Sequence, residues 1–258
     1  MGGHSVDNTI LILANDEGAA LNGYSAFDNY GIPYEVVLVP STGFVMPALN
    51  SSMSHGNYGG IVTVSELSYD YDGDYESALS TDQWNQLFDY QLSFGVRMVR
   101  IDAYPDGDFG VASGVGCCDT NVEQLISISN QTAFPGANLV DGQGLSTQNM
   151  YHYATSVTDP STTWEFASFA PDTAGQFTSN MTAGVINNFD GRQQMVFFTS
   201  WGSEWSATSQ FLQHAMVHWT TRGLFVGARK IYLNTQVDDL HLTTQVCYTN
   251  PEPSMVKC

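Results

Sequence analysis

Positive charge is scarce in this chain: seven Lys and Arg stand against 26 Asp and Glu, giving a formal charge of −19 over 258 residues. A protein that neutralises nucleic-acid phosphates needs the opposite balance, so no nucleic-acid partner is expected. No apolar run reaches the ~20 residues of a membrane-spanning helix, so no membrane span is expected either. The start, Met1 to Asn8, has no apolar signal-peptide core, and a secreted protein beginning this way is expected to be a trimmed chain or the product of an incomplete gene prediction. Gly-x-Ser-x-Gly is missing, and with it the nucleophile elbow of the hydrolases that use that motif. No Cys-x-x-Cys spacing occurs, which argues against zinc held by four thiolates. The Gly-rich phosphate turn is missing too. Asn15-Asp16-Glu17 follows the first apolar run, and its carboxylates would repel the phosphates of a nucleotide cofactor.

What is present points outside the cell. Ser, Thr, Asn, Gly and Tyr are abundant, and three glycosylation acceptor patterns occur at Asn50-Ser-Ser, Asn130-Gln-Thr and Asn180-Met-Thr. A secreted glycoprotein, extracellular or in the cell wall, is the expectation. The acidity then has two readings: it keeps such a protein soluble, or it draws in a cationic partner such as a polymer with free amines. Cys117 and Cys118 are adjacent, whereas Cys247 and Cys258 could close a hairpin-like loop around Pro251 and Pro253.

From Thr9 onward, strand and helix patterns alternate. Residues 9–14, 34–39, 60–64 and 96–101 are short apolar runs suited to buried strands. Residues 17–29 have helical spacing at Leu21, Tyr24, Ala26 and Phe27, stopped by Gly31 and Pro33. Ser80, Thr81 and Asp82 offer caps for a second helix carrying Trp84, Leu87, Phe88 and Leu92, closed by Gly95. The rhythm resumes with a strand at 195–198, a helix from Ser206 to Arg222 and a strand from Lys230 to Val237. The expected fold is α/β, a layered parallel sheet of flavodoxin or amidotransferase type, with an irregular, partly β insertion at about 103–190. Within that insertion, 121–130 also admits a helical reading.

In a parallel sheet the strand ends converge on one edge, where α/β proteins place their ligands. That edge collects Asn15, Asp16 and Glu17, then Glu66 and Tyr69, then Asp102 and Tyr104, then Trp201, Glu204 and Trp205, and finally Asp238 and Asp239. Aromatic faces stack on the C–H face of a pyranose while carboxylates take its hydroxyls or amines, so a sugar-binding crevice is expected. Asp16, Glu66, Tyr69, Trp201, Glu204 and Trp205 are the candidate substrate contacts. The acidic and aromatic stretch Ser68 to Tyr75 lacks the closing Glu of a calcium loop and reads as a solvated loop. His214 and His218 lie one helical turn apart, a spacing that metal sites use, although their apolar neighbours read as a buried helix. Asp238-Asp239 is the strongest chemical signal, because one carboxylate can ligate a metal while its neighbour accepts a proton from metal-bound water.

Residues 218–242, running from His218-Trp-Thr-Thr-Arg-Gly through Lys230-Ile-Tyr-Leu-Asn-Thr-Gln-Val to Asp238-Asp-Leu-His-Leu, resemble the segment entering the catalytic domain of fungal galactosaminogalactan deacetylases. These are extracellular polysaccharide deacetylases that expose amines on a biofilm polymer. The layout of residues 9–217 is similar to the carbohydrate-binding region preceding catalysis in that family. The resemblance implies Asp238 as catalytic base, Asp239 as ligand to zinc or another divalent metal, and a partner polysaccharide containing galactosamine or N-acetylgalactosamine. It divides the chain into a carbohydrate-binding region, 1–228, and the start of a truncated deacetylase domain, 229–258. The His-x-x-x-His motif that should follow the Asp pair is missing, so the chain alone is expected to bind no metal and to be inactive. The alternative is a self-contained metal-dependent hydrolase that joins Asp238 and Asp239 to His214 and His218.

Overall fold

The computed structural model describes residues 4–114 and 122–225, together with the backbone of a short antiparallel pair, 248–249 with 256–257. Asp238, Asp239, all four cysteines and the expected strand at 230–237 lie outside the described residues.

The first half is built as its apolar runs predict. Strand β1 (Ile10–Ala14) is buried on both faces and leads into helix α1 (Glu17–Tyr30). Asp16 caps that helix by accepting from the Ala19 N–H at 2.8 Å, and Gly31, at φ 66°, ends it in the left-handed conformation that glycine adopts without strain. Strands β2 (Tyr34–Leu38) and β3 (Gly60–Val64) follow. Helix α2 (Thr81–Phe94) opens with a capping box between Ser80 and Gln83 and closes at Gly95, and β4 (Arg97–Ile101) comes next. Alternation along the strands makes two cores. Ile10, Ile12, Val62, Val64, Val99 and Ile101 face α1, whereas Leu11, Leu13, Ile61 and Met98 face Leu87 and Tyr90 of α2. At Gly23 a Cβ would lie 2.7 Å from Ile12 Cγ2, so the glycine is what lets α1 approach β1 so closely.

The expected insertion is part of the same sheet. Strands β5 (Val111–Ser113), β6 (Ile126–Ile128), β7 (Thr155–Val157), β8 (Thr163–Phe169) and β9 (Met181–Phe189) extend it in antiparallel fashion, and β10 (Arg192–Phe197) joins the two halves. The ten-stranded order is β5-β7-β9-β10-β4-β3-β1-β2, with β8 on β9 and β6 on β8. Neighbours from β10 to β2 are parallel; those from β10 outward to β5 are antiparallel. The protein is therefore mixed α/β. The helical reading of 121–130 is corrected: Ile126 and Ile128 point inward at strand spacing and pair with Phe169 and Ala167. Helix α3 (Ala207–Thr220), capped by Ser206, covers the same face as α1.

Candidate functional site

The ends of β1, β3 and β4 form the chemically densest part of the molecule. After β3, three consecutive non-glycine residues are left-handed: Ser65, Glu66 and Leu67, at φ 51°, 52° and 54°. After β4, Asp102 is left-handed as well, at φ 57°. Such residues cost roughly 1–3 kcal/mol each and collect at functional sites. The turn is held by burial of Leu67, by Ser77 Oγ donating to the Glu66 carbonyl at 2.9 Å, and by the Ala78 N–H donating to the Leu67 carbonyl at 2.9 Å.

The turn aims two carboxylates. Glu66 receives Arg100 in a bidentate ion pair, with Nε to Oε1 at 3.0 Å and Nη2 to Oε2. The Arg100 guanidinium lies 4.4 Å from the ring centre of Trp84 and 4.8 Å from that of Phe109. Ser65 Oγ donates to Asp102 Oδ2 at 2.9 Å. Burial, reinforced by the charge of Glu66 and opposed by the Ser65 hydrogen bond, pushes the Asp102 carboxyl up to about 6. Asn15 Nδ2 donates to the Ser68 carbonyl, and Asn15 Oδ1 is buried without a hydrogen-bond partner among the described residues.

From Asp102 the edge continues along aromatic rings. Tyr104 is 44% exposed and meets Tyr153 edge-on at 5.3 Å. Tyr151 is 62% exposed and borders a groove of about 580 Å³ lined also by Glu123, Gln148, Asn149 and His152. The groove is fastened to the segment after β10, because the Ser200 N–H and Thr199 Oγ1 both donate to the Tyr151 carbonyl, at 2.7 and 3.1 Å.

The sequence candidates separate on inspection. Glu66 is tied to Arg100, and Asp16 is the cap of α1; burial first, and then the Asp16 charge, raise the Tyr69 phenol. Tyr69 donates to the Val39 carbonyl at 2.8 Å, and its hairpin, Ser68–Tyr71 with Asp74–Ser77, turns at Asp72-Gly73. Trp201 is 6% exposed and packs edge-on against Phe197, a core position. Glu204 and Trp205 are exposed, on a loop fastened to α1 by Ser203, whose N–H and Oγ donate to Asn22 Oδ1. Arg100, Ser65 and the groove around Tyr151 were missed. An arginine inside the apolar run Met98 to Ile101 was a usable signal; the groove residues, in irregular chain, gave none.

Of the histidine pair, His214 is engaged by the protein itself. His214 Nδ1 is bonded to the Tyr30 hydroxyl and its Nε2 to the Ala137 carbonyl at 2.7 Å, so neither nitrogen is available as a ligand. No group of three His, Cys, Asp or Glu in metal-binding range occurs among the described residues, and no described helix is long and apolar enough to cross a membrane.

Strand ends lined with an exposed tyrosine and carboxylates, beside a polar groove, form a ligand-site arrangement of an α/β protein. The comparisons agree. The family described as Agd3 CBM87 matches residues 6–219, and the chain belongs to that family of carbohydrate-binding modules. A solved structure described as Agd3, a novel carbohydrate deacetylase, is 51% identical with a TM-score of 0.87, over 92% of this chain and 36% of that one. The chain thus spans about a third of the length of that relative. A cold-adapted β-galactosidase from Rahnella sp. R3 shares the fold at 10% identity, with a TM-score of 0.51 over 83% of this chain and 32% of its own. No curated protein matches. The resemblance to the deacetylase family holds, and the family match covers the region whose layout is similar to the carbohydrate-binding region in that family.

Proposed function

We propose that this chain is the carbohydrate-binding region of a secreted, metal-dependent polysaccharide deacetylase and holds a galactosamine-containing exopolysaccharide along the C-terminal edge of its sheet. The observation that carries this is the exposed Tyr151 bordering a polar groove with Glu123, bonded to the segment after β10, whose parallel neighbour β4 ends in Asp102 and the exposed Tyr104. Exposed rings can take the C–H faces of successive sugars, and carboxylates can take hydroxyls or ammonium groups. The parallel order β2-β1-β3-β4-β10 supports a layered scaffold of flavodoxin or amidotransferase type, in which the ends of β1 and β3 flank the point where the connections reverse direction. In this reading Asp238 and Asp239 serve as base and metal ligand, zinc or another divalent cation belongs with them, and residues 4–225 bind without hydrolysing.

The test is titration of the chain with galactosamine oligomers, acetylated and deacetylated, at low and physiological salt, with acetate release followed in parallel. Saturable binding is expected, tighter for the deacetylated form at low salt, without acetate release. Tyr151→Ala should weaken it about tenfold, the ~1.4 kcal/mol of one ring contact. Binding of neither form, or wild-type affinity in the Tyr151 variant, would sink the proposal.

A further inference from the structure

At the opposite end of the parallel strands lies a cavity of about 320 Å³, lined by Arg97, Trp164, Gln193, His218, Trp219 and Arg222 among others. Arg97 opens β4, Gln193 lies at the start of β10, and Arg222 stands just beyond α3. Arg97 is held firmly. Its Nε donates to Gln193 Oε1 at 2.9 Å, its Nη1 donates to the Trp219 carbonyl at 2.6 Å, and its guanidinium lies 4.6 Å from the Trp219 ring centre. Arg222 Nη2 donates to the Gly95 carbonyl at 2.7 Å from a left-handed backbone, φ 57°.

Two cations on one small cavity are unexpected in a chain with 26 carboxylates. Among the described residues the ion pairs are His55 with Asp7 and Arg100 with Glu66; neither Arg97 nor Arg222 has a carboxylate in range. Burial and the neighbouring Arg222 charge both work against the Arg97 cation. Capping the C-terminal carbonyls of α3 explains one arginine. Arg222 caps the end of α2 in the same way through the Gly95 carbonyl, and the two caps bring like charges together, where they repel. Two further features face the same space. Trp164 is 40% exposed, and His218 Nδ1 is buried with no hydrogen-bond partner among the described residues. The volume sits at the lower end of the ~300–1,000 Å³ typical of small-molecule sites, enough for one sugar ring.

We infer that this cavity is a second saccharide subsite, selective for a sugar unit that carries a carboxylate. The carboxylate takes the charge of the Arg97 and Arg222 guanidiniums, both of which line the cavity, and the ring lies against Trp164. The site goes beyond the amine-sugar edge and has the opposite charge preference.

The experiment titrates the full chain with galacturonic acid, galactose and sulfate separately, in 150 mM NaCl, where the global negative field is screened beyond roughly 8 Å. Galacturonate should saturate and galactose should not. Arg222→Gln should weaken galacturonate at least tenfold while the thermal melt stays native, and Trp164→Ala should weaken galacturonate more than sulfate. Arg97→Gln also removes a contact to α3, so Arg222→Gln is the deciding variant. Equal binding of galacturonate and galactose overturns the inference, as does unchanged affinity in Arg222→Gln. Sulfate binding as tight as galacturonate, indifferent to Trp164, would show an anion site without sugar selectivity and also overturn it. Galactosamine oligomers titrated into the same samples report on the Tyr151 edge, so failure of one site is distinguishable from failure of the other.

Discussion

Replacing Asp102 with asparagine should make this protein more stable at neutral pH. The carboxyl rises from 3.8 to about 6 in the fold, because burial and the Glu66 charge outweigh the hydrogen bond from Ser65. At 1.36 kcal/mol per pKa unit, ionised Asp102 costs the folded state up to about 3 kcal/mol. The sign follows from proton binding. Between about pH 4 and 6 the folded protein holds the proton that the unfolded chain has already released. Stability therefore falls as pH rises through that window and stays low above it. Asparagine carries no charge, retains an oxygen that can accept from Ser65 Oγ, and tolerates φ 57° at least as well as aspartate. Because Asp102 is half-buried, water screens part of the effect, and a gain of about 1–3 kcal/mol at pH 7 is expected. That corresponds to roughly 2–4 °C in Tm per kcal/mol for a domain of this size. Urea unfolding of wild type and Asp102→Asn at pH 7 and pH 4 measures it. The gain should shrink towards zero at pH 4. A variant no more stable than wild type at pH 7, or one whose advantage persists undiminished at pH 4, would refute the reasoning.

Two further changes test the frame around the site. Glu66→Ala removes the partner of a guanidinium that is 9% exposed, and should cost about 3–5 kcal/mol in denaturant unfolding; a loss below ~1 kcal/mol would mean the pair behaves like a surface one. Gly184→Ala places a Cβ 2.6 Å from Phe166 Cζ and 3.1 Å from the Val196 carbonyl, and should destabilise by about 1–3 kcal/mol in the same assay, with a neutral result showing that the Phe166 ring can give way.

The helices and the parallel strands were legible because each carries local punctuation. Asp16 and Gly31 bracket α1, Ser80 and Gly95 bracket α2, and the alternation of Ile10, Leu11, Ile12 and Leu13 between two cores is a period-two pattern. That the partly β insertion at 103–190 joins the main sheet was not legible, because its strands are short and pair across long separations, as Ile126 does with Phe169. Nothing local announces such a partner. Which aromatic ring would be exposed was illegible for a related reason. Trp201 looks like a sugar platform in sequence, yet it is consumed by the core against Phe197, while the exposed ring that borders a groove is Tyr151, from irregular chain. Burial, which decides between those two, is a property of the whole fold.

The strand ends also explain how one acidic protein can carry two opposite charge preferences. Parallel strands place every strand start at one end of the sheet and every strand finish at the other. Arg97 stands at a start, whereas Asp16, Glu66 and Asp102 stand at finishes. The positive N-terminus of α1 favours the Asp16 carboxylate, and Arg100, reaching along β4, compensates Glu66. Asp102 has no cation opposite it among the described residues, only Ser65, and its burial together with the Glu66 charge raises its carboxyl. A ligand ammonium placed there would supply the missing charge, so amine binding at this edge should weaken as pH falls below about 6, when Asp102 takes a proton. Among the described residues that line the Arg97 cavity, the group that titrates to an uncharged form in that range is His218, whose ring is held below its usual value by burial and then by His214. Galacturonate affinity should therefore hold between pH 5.5 and 7.5 while the preference for deacetylated oligomers fades. Calorimetric titration of both ligands across that range measures this contrast, and a parallel decline of the two would show that the edges are not electrically independent.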